Sequence, residues 1–255
     1  MSDYNGSPLS EDFDGIASQL WEHNAKWWQD GFTDGADPEY EEQIIPLLRA
    51  NLAGARSVLD IGTGEGQLAR VASGSPGIKS VVGIDPTWEQ VTVARERDAE
   101  LTIIRAEASR IPLASSSFDT VIACLVFEHI DDLDGALDEV SRILSKGGNF
   151  LFFLNHPLMQ TPGSGWIDDH IIGEQYWRIG QYLVEEKTIE EVEKDVYIPF
   201  IHRPLNRYIN ALSERGLFLV KMEEPAPPKG FLDKAPEYLQ AASIPRLLFL
   251  RLEKR

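Results

Sequence analysis

Between residues 57 and 154 short apolar runs alternate with helical patterns, and few folds accept that rhythm. Runs over 57–61, 80–84, 101–104, 119–126 and 149–154 have the length and apolar character of buried strands. Stretches 67–72, 89–99 and 133–144 read as the helices between them. Strands alternating with helices predict an α/β, doubly wound, mostly parallel sheet with helices on both faces. Lys146-Gly147-Gly148 is the expected helix stop before the fifth strand.

The flanks have a different texture. Residues 1–45 hold eleven carboxylates and one lysine, so −10 of the chain's net −17 lies there. Phe13, Ile16, Leu20, Trp21, Trp27 and Trp28 fall near one helical face. A second helix is expected from Asp37-Pro38 to Leu52, with proline at its first position and a kink at Pro46. Residues 156–200, rich in glycine, proline and aromatics, read as an insertion with little core of its own. A helix over 204–214 and strands over 217–222 and 246–252 follow, joined by a long loop that begins with the proline-rich 225–228. The simplest account is one domain: a helical flap (1–55), a core (56–155), an inserted lid (156–203) and a C-terminal helix and strand pair (204–255).

Charge and composition narrow the classes. A net −17 repels phosphate backbones, and no Lys/Arg cluster forms a basic groove, which disfavours a nucleic-acid partner. The longest unbroken apolar run, 121–127, is strand-sized, so no membrane span is expected. The polar, acidic first residues lack the pattern of a signal peptide. Cys124 is the single cysteine, which rules out an internal disulfide and a cysteine-rich zinc site. Together these features give a cytoplasmic expectation.

The strongest motif is Val58-Leu59-Asp60-Ile61-Gly62-Thr63-Gly64-Glu65-Gly66: a buried strand with an acidic residue near its end, a three-glycine loop, then a helix. Glycine permits the tight turn and lets a ligand approach the backbone without meeting a Cβ. A turn that uses glycine for geometry alone would read the same way. The dinucleotide fingerprint G-x-G-x-x-G fits poorly, because Gln67 occupies its third glycine position. Asp85, after the second strand, can accept hydrogen bonds from ribose hydroxyls or serve as a helix-start residue before Pro86.

Ala106-Glu107-Ala108 follows the third strand, Ile111-Pro112-Leu113 comes next, Phe118-Asp119 opens the fourth strand, and Val126-Phe127-Glu128-His129 closes it. In this order and spacing the chain resembles the class I S-adenosylmethionine-dependent methyltransferases, in particular their small-molecule, ubiquinone-biosynthesis-like branch. The resemblance is clear over about 57–155 and weaker over 200–255. It implies a Rossmann-like seven-stranded sheet with the last strand antiparallel, and S-adenosylmethionine as cofactor. It places Asp60, Gly62, Gly64 and Gly66 by the methionine part and Asp85 by the ribose. Glu107 would face the adenine amino group, where the family more often has aspartate, and the Ala108 backbone the adenine ring. Val126 would pack near the sulfonium, with Glu128 and His129 at the acceptor rim.

For the acceptor end, His202 and then His156 are the candidate general bases, each also readable as a structural histidine. Arg203 would grip an anionic acceptor or make a helix-start salt bridge. Trp21, Trp27, Trp28, Trp166 and Trp177 would roof the acceptor or simply pack. Asp168-Asp169-His170 is read as a turn rather than a metal site, and Cys124 as buried. The expected activity is methyl transfer to a small molecule, with oxygen favoured over carbon or nitrogen. Leu125-Val126-Phe127-Glu128 lacks the Asn/Asp-Pro-Pro-aromatic motif of base-amino methyltransferases. A non-catalytic adenosyl-cofactor-binding protein and a nicotinamide-dependent oxidoreductase remain the alternatives.

Overall fold

The computed structural model describes residues 13–234 and 241–255. Residues 1–12 of the expected flap and 235–240 of the C-terminal loop lie outside the described residues. The chain begins with α1 (Phe13–Phe32), a π-helical turn (Tyr40–Ile44) and α2 (Ile45–Asn51). The core follows as β1 (Ser57–Ile61), α3 (Gln67–Ser73), β2 (Ser80–Asp85), α4 (Trp88–Arg97), β3 (Thr102–Arg105), β4 (Phe118–Cys124), α5 (Leu133–Ile143) and β5 (Leu144–Asn155). Next come β6 (Gly165–Asp169), β7 (Glu174–Arg178), β8 (Glu186–Glu193) and β9 (Val196–His202). The chain ends with α6 (Leu205–Glu214), β10 (Leu217–Glu223), α7 (Lys229–Lys234) and β11 (Leu247–Lys254).

The central sheet has seven strands in the order β10-β11-β5-β4-β1-β2-β3. β1 pairs in parallel with both β2 and β4, while β11 runs antiparallel to β5 and β10. This is the mostly parallel, doubly wound sheet expected from the alternating pattern. Burial on both faces explains why its strands read as continuous apolar runs: Val121, Ile122 and Phe150 through Phe153 are all fully buried. On one face α5 inserts Leu133, Ala136, Leu137, Val140 and Ile143, joined by Tyr208 and Leu212 of α6. On the other, Leu48, Leu68, Ala72 and Val91 from α2, α3 and α4 cover the sheet.

Three local expectations differ from the structure. Ahead of Pro46 the expected regular helix is interrupted by a π turn, with Ile45 N donating to Tyr40 O, five residues back. The widened turn accommodates a proline that has no N–H for the helical ladder. Lys146-Gly147-Gly148 lies inside β5 as an irregularity: pairing jumps from Phe118↔Leu144 to Thr120↔Asn149, with Gly147 at φ +76°. The segment read as an insertion with little core of its own folds as two antiparallel hairpins, β6–β7 and β8–β9. The second hairpin gains a core by packing Ile201 against Phe13 and Ala17 of α1.

β1, β2 and β3 run to one side of the sheet and β4 and β5 to the other. The switch between β1 and β4 opens a crevice at the strands' carboxyl ends, which is where open α/β sheets bind ligands.

Candidate active site

A cavity occupies that crevice. Its floor comes from the strand ends (Asp60 and Ile61 of β1, Asp85 of β2, Cys124 of β4), and Ala17, Ser18, Trp21 and Trp28 of α1 close it from above. α1 is held in place by polar contacts. The Glu22 carboxylate accepts from Trp88 N (2.8 Å) and Glu89 N (3.1 Å) at the start of α4, and Gln29 Nε2 donates to Gln90 Oε1 at 2.9 Å. A carboxylate there also complements the positive end of the helix dipole.

The glycine loop is shaped by close approach. Gly62 has φ +66°, and a Cβ there would collide with the Val126 side chain. The loop and the end of β4 can therefore meet only if residue 62 has no side chain. Gly64 N donates to Asp85 Oδ2 at 2.9 Å, and Thr87 N donates to Asp85 Oδ1 at 2.8 Å. These two bonds lock the carboxylate at the end of β2, while burial raises its pKa. Asp60 accepts from Thr63 Oγ1 at 2.7 Å, and burial pushes its pKa up to about 7. Glu65, 1% exposed, takes Arg70 Nη2 at 2.6 Å and Arg97 Nη1 at 2.8 Å.

Asp60, Gly62, Gly64, Asp85, Glu107, Ala108 and Val126 all line the cavity, so the structure brings together seven of the eight residues expected at a cofactor. Gly66 is not in the lining; it is the left-handed N-cap of α3, at φ +87°.

The two histidines expected as bases lie elsewhere, because neither lines this cavity. His202 is 2% exposed and bonds through Nε2 to Tyr182 O at 2.8 Å. His156 is bonded on both ring nitrogens: Nε2 lies 2.7 Å from Glu224 Oε1, and Nδ1 accepts from Leu158 N at 3.1 Å. Arg203 is 4% exposed and donates to the carbonyls of Phe127 (3.0 Å), Ile130 (2.7 Å) and Asp131 (2.9 Å), so it clamps the turn after β4 rather than facing an acceptor. Glu128 is behind the rim, its Oε1 accepting from Asn155 N and Nδ2, and burial raises its pKa to about 7. Of the five tryptophans, Trp21 and Trp28 line the cavity. Trp27 Nε1 donates to Glu193 at 2.6 Å, and Trp166 and Trp177 pair edge-on across β6–β7. Asp169 Oδ1 accepts from Ile171 N at 2.9 Å, the geometry of a turn.

His129 is the histidine that reaches the cavity. Its Nδ1 lies 2.6 Å from Pro199 O, and burial lowers its pKa to about 4, with the carbonyl bond opposing that shift. The ring therefore holds one proton at neutral pH, and the carbonyl fixes it on Nδ1. Nε2 is left as a lone pair. Trp21 meets the imidazole edge-on at 4.9 Å and Phe200 lies at 4.8 Å, which hold the ring in place. Tyr40 also lines the cavity, its hydroxyl 4.0 Å from Cys124 Sγ. Nothing in its local sequence pattern distinguishes it from an ordinary helix residue.

The lining contains the carboxylates of Asp60, Glu65, Asp85, Glu107 and Asp132, and no lysine or arginine among the described residues. That donor set suits a cofactor with a cationic sulfonium and two ribose hydroxyls. It is the wrong sign for the pyrophosphate of a dinucleotide. Fold and site together fit the class I adenosyl-cofactor methyltransferases.

Comparison with known proteins agrees. Residues 59–152 match a family described as a methyltransferase domain. A crystal structure of an S-adenosylmethionine-dependent methyltransferase from Mesorhizobium loti is similar with a TM-score of 0.72 and 28% identity, covering 87% of this chain and 99% of that one. An uncharacterised methyltransferase of Bacillus subtilis, YcgJ, is 30% identical over 129 residues, 49% of this chain and 50% of that protein. A demethylmenaquinone methyltransferase of Porphyromonas gingivalis is 24% identical over 178 residues, 66% of this chain and 68% of that enzyme. The chain thus spans about half the length of the Bacillus relative. Its residues 59–152 are similar to a methyltransferase domain, and its fold to that of an S-adenosylmethionine-dependent methyltransferase. Among the described residues no helix is long and apolar enough to cross a membrane.

Proposed function

We propose that this chain transfers a methyl group from S-adenosylmethionine to a hydroxyl oxygen of a small molecule seated between α1 and the turn after β4. The observation that carries the reading is His129, whose Nδ1 is anchored on Pro199 O while its ring lines the same cavity as Asp60, Asp85 and Val126. When bound, S-adenosylmethionine supplies a methyl group already activated by its sulfonium.

The chain's own residues then have mainly a positioning role. Asp85 would accept from the ribose hydroxyls and Glu107 from the adenine amino group, with the Ala108 backbone beside the ring. Gly62 and Gly64 open the loop to the methionine moiety, and Asp60 supplies negative potential to a cationic occupant. Trp21 and Trp28 keep water from the acceptor side. His129 Nε2 accepts the hydrogen bond of the acceptor hydroxyl and orients its lone pair. In this reading the described part of the flap, 13–55, covers the cavity, 56–155 bind the cofactor, and 156–203 support the acceptor side through the bond from Pro199 to His129.

The test pairs calorimetry with tritiated methyl donor. The chain should bind one S-adenosylmethionine and move label into a hydroxylated aromatic acceptor such as catechol or 2-naphthol. His129→Gln should keep cofactor affinity within about threefold while cutting transfer by about a hundredfold. Full transfer by His129→Gln would overturn the role of His129. Cofactor binding without transfer to either acceptor would favour a cofactor-binding protein over an oxygen methyltransferase.

A further inference from the structure

Resting on the methyltransferase reading of the cavity, the charges around its acceptor side define what can enter. No lysine or arginine lines it among the described residues, and the cations nearby are already engaged. Arg70 and Arg97 hold Glu65, Lys187 Nζ meets Asp131 Oδ2 at 2.5 Å, and Arg203 is enclosed by three carbonyls. The fixed charges that face the space are carboxylates, Asp132 among them just beyond the turn after β4. The remaining surface is aromatic and apolar. Trp21 and Trp28 meet edge-on at 5.7 Å, Trp21 meets His129 at 4.9 Å, and Val126 and Ile130 complete the wall.

We infer that the acceptor is an uncharged aromatic molecule bearing a hydroxyl, and that carboxylated and phosphorylated molecules are rejected. With S-adenosylhomocysteine bound, an anion would leave water for an acceptor side to which the chain contributes no cation among the described residues, and would face Asp132 besides. A flat neutral ring loses little hydration and gains edge and face contacts with two indoles and an imidazole. A protonated amine would be attracted by the same carboxylates, but an ammonium has no lone pair to accept a methyl. His129, held neutral by burial, is too weak a base to strip that proton near pH 7.

The inference is tested by binding, independently of turnover. The full chain is loaded with S-adenosylhomocysteine at pH 7 and titrated with 2-naphthol or with 6-hydroxy-2-naphthoate, following tryptophan fluorescence. The neutral probe should quench saturably and bind at least tenfold tighter than its carboxylate, and Trp21→Phe should reduce the quench. Ser18→Arg, on the exposed side of α1 at the cavity mouth, should narrow the preference several-fold by supplying the missing cation. Equal binding of the two probes, or no binding of 2-naphthol to the loaded protein, would overturn the inference while leaving the cofactor reading intact. Failure of S-adenosylhomocysteine to bind would overturn both.

Discussion

Asp60→Asn separates what the cavity does for its ligand from what it does for the fold. Asp60 is 2% exposed, and burial moves its pKa from 3.8 to about 7. The folded value exceeds the unfolded one, so the associated stability is complete below about pH 4 and is lost as pH rises through 7. At about 1.36 kcal/mol per pKa unit, the ceiling on that loss is roughly 4 kcal/mol at pH 8. Relaxation around a buried charge reduces it, and about 1–2 kcal/mol is the expected realised figure. Asparagine removes the charge and keeps an oxygen for Thr63 Oγ1. The ligand-free variant should therefore be more stable than wild type at pH 8, by a few °C in Tm for a chain of this size, with a gap roughly a third as large at pH 5. The balance reverses on binding, because wild type gains the attraction between Asp60 and a cationic cofactor. Thermal unfolding at pH 5, 6.5 and 8, with and without S-adenosylmethionine, reads both effects. A variant destabilised equally at pH 5 and pH 8, or one with an undiminished cofactor-induced shift at pH 8, would refute the reasoning.

Other perturbations test the shape of the site. Gly62→Ala places a Cβ against Val126 at a left-handed backbone position, so it should lower stability by about 1–3 kcal/mol and abolish measurable cofactor binding. Arg203→Met leaves the Phe127, Ile130 and Asp131 carbonyls without their donor, with an expected loss of about 3 kcal/mol in urea unfolding. Because that arginine holds the turn rather than the ligand, the His129 imidazole resonances should broaden or shift while S-adenosylhomocysteine affinity changes by less than about fivefold. At saturating S-adenosylmethionine the rate of methyl transfer should also show no acid limb from His129 near pH 6.5, because that ring stays unprotonated down to about pH 4.

What could be read in the sequence depended on where periodicity carries information. β1, β2, β4 and β5 are buried on both faces, so their apolar runs announced them, and the glycines after β1 marked the turn that brings Asp60 near Asp85. The β8 strand, Glu186–Glu193, reads as a charged run because half of its residues are exposed and none is buried, and its pairing with β9 is invisible without the partner. α7, in the loop after the prolines, buries none of its residues and so leaves no apolar stripe. The histidines show the deeper limit. His202 and His156 follow strands and looked available, but their burial and bonds to Tyr182 and Glu224 arise from distant segments. His129 was placed at the rim from its motif, yet its anchoring depends on Pro199, 70 residues away.

The central claim is that the crevice between β1 and β4 is built for a cationic adenosyl cofactor held by Asp85. Isothermal titration of the full chain with S-adenosylmethionine and, separately, NADH tests it most directly, with Asp85→Ala as the control. The account predicts one S-adenosylmethionine per chain, no detectable NADH binding, and at least a tenfold loss of S-adenosylmethionine affinity in Asp85→Ala. Saturable NADH binding in place of S-adenosylmethionine, or unchanged S-adenosylmethionine affinity without the Asp85 carboxylate, would contradict it.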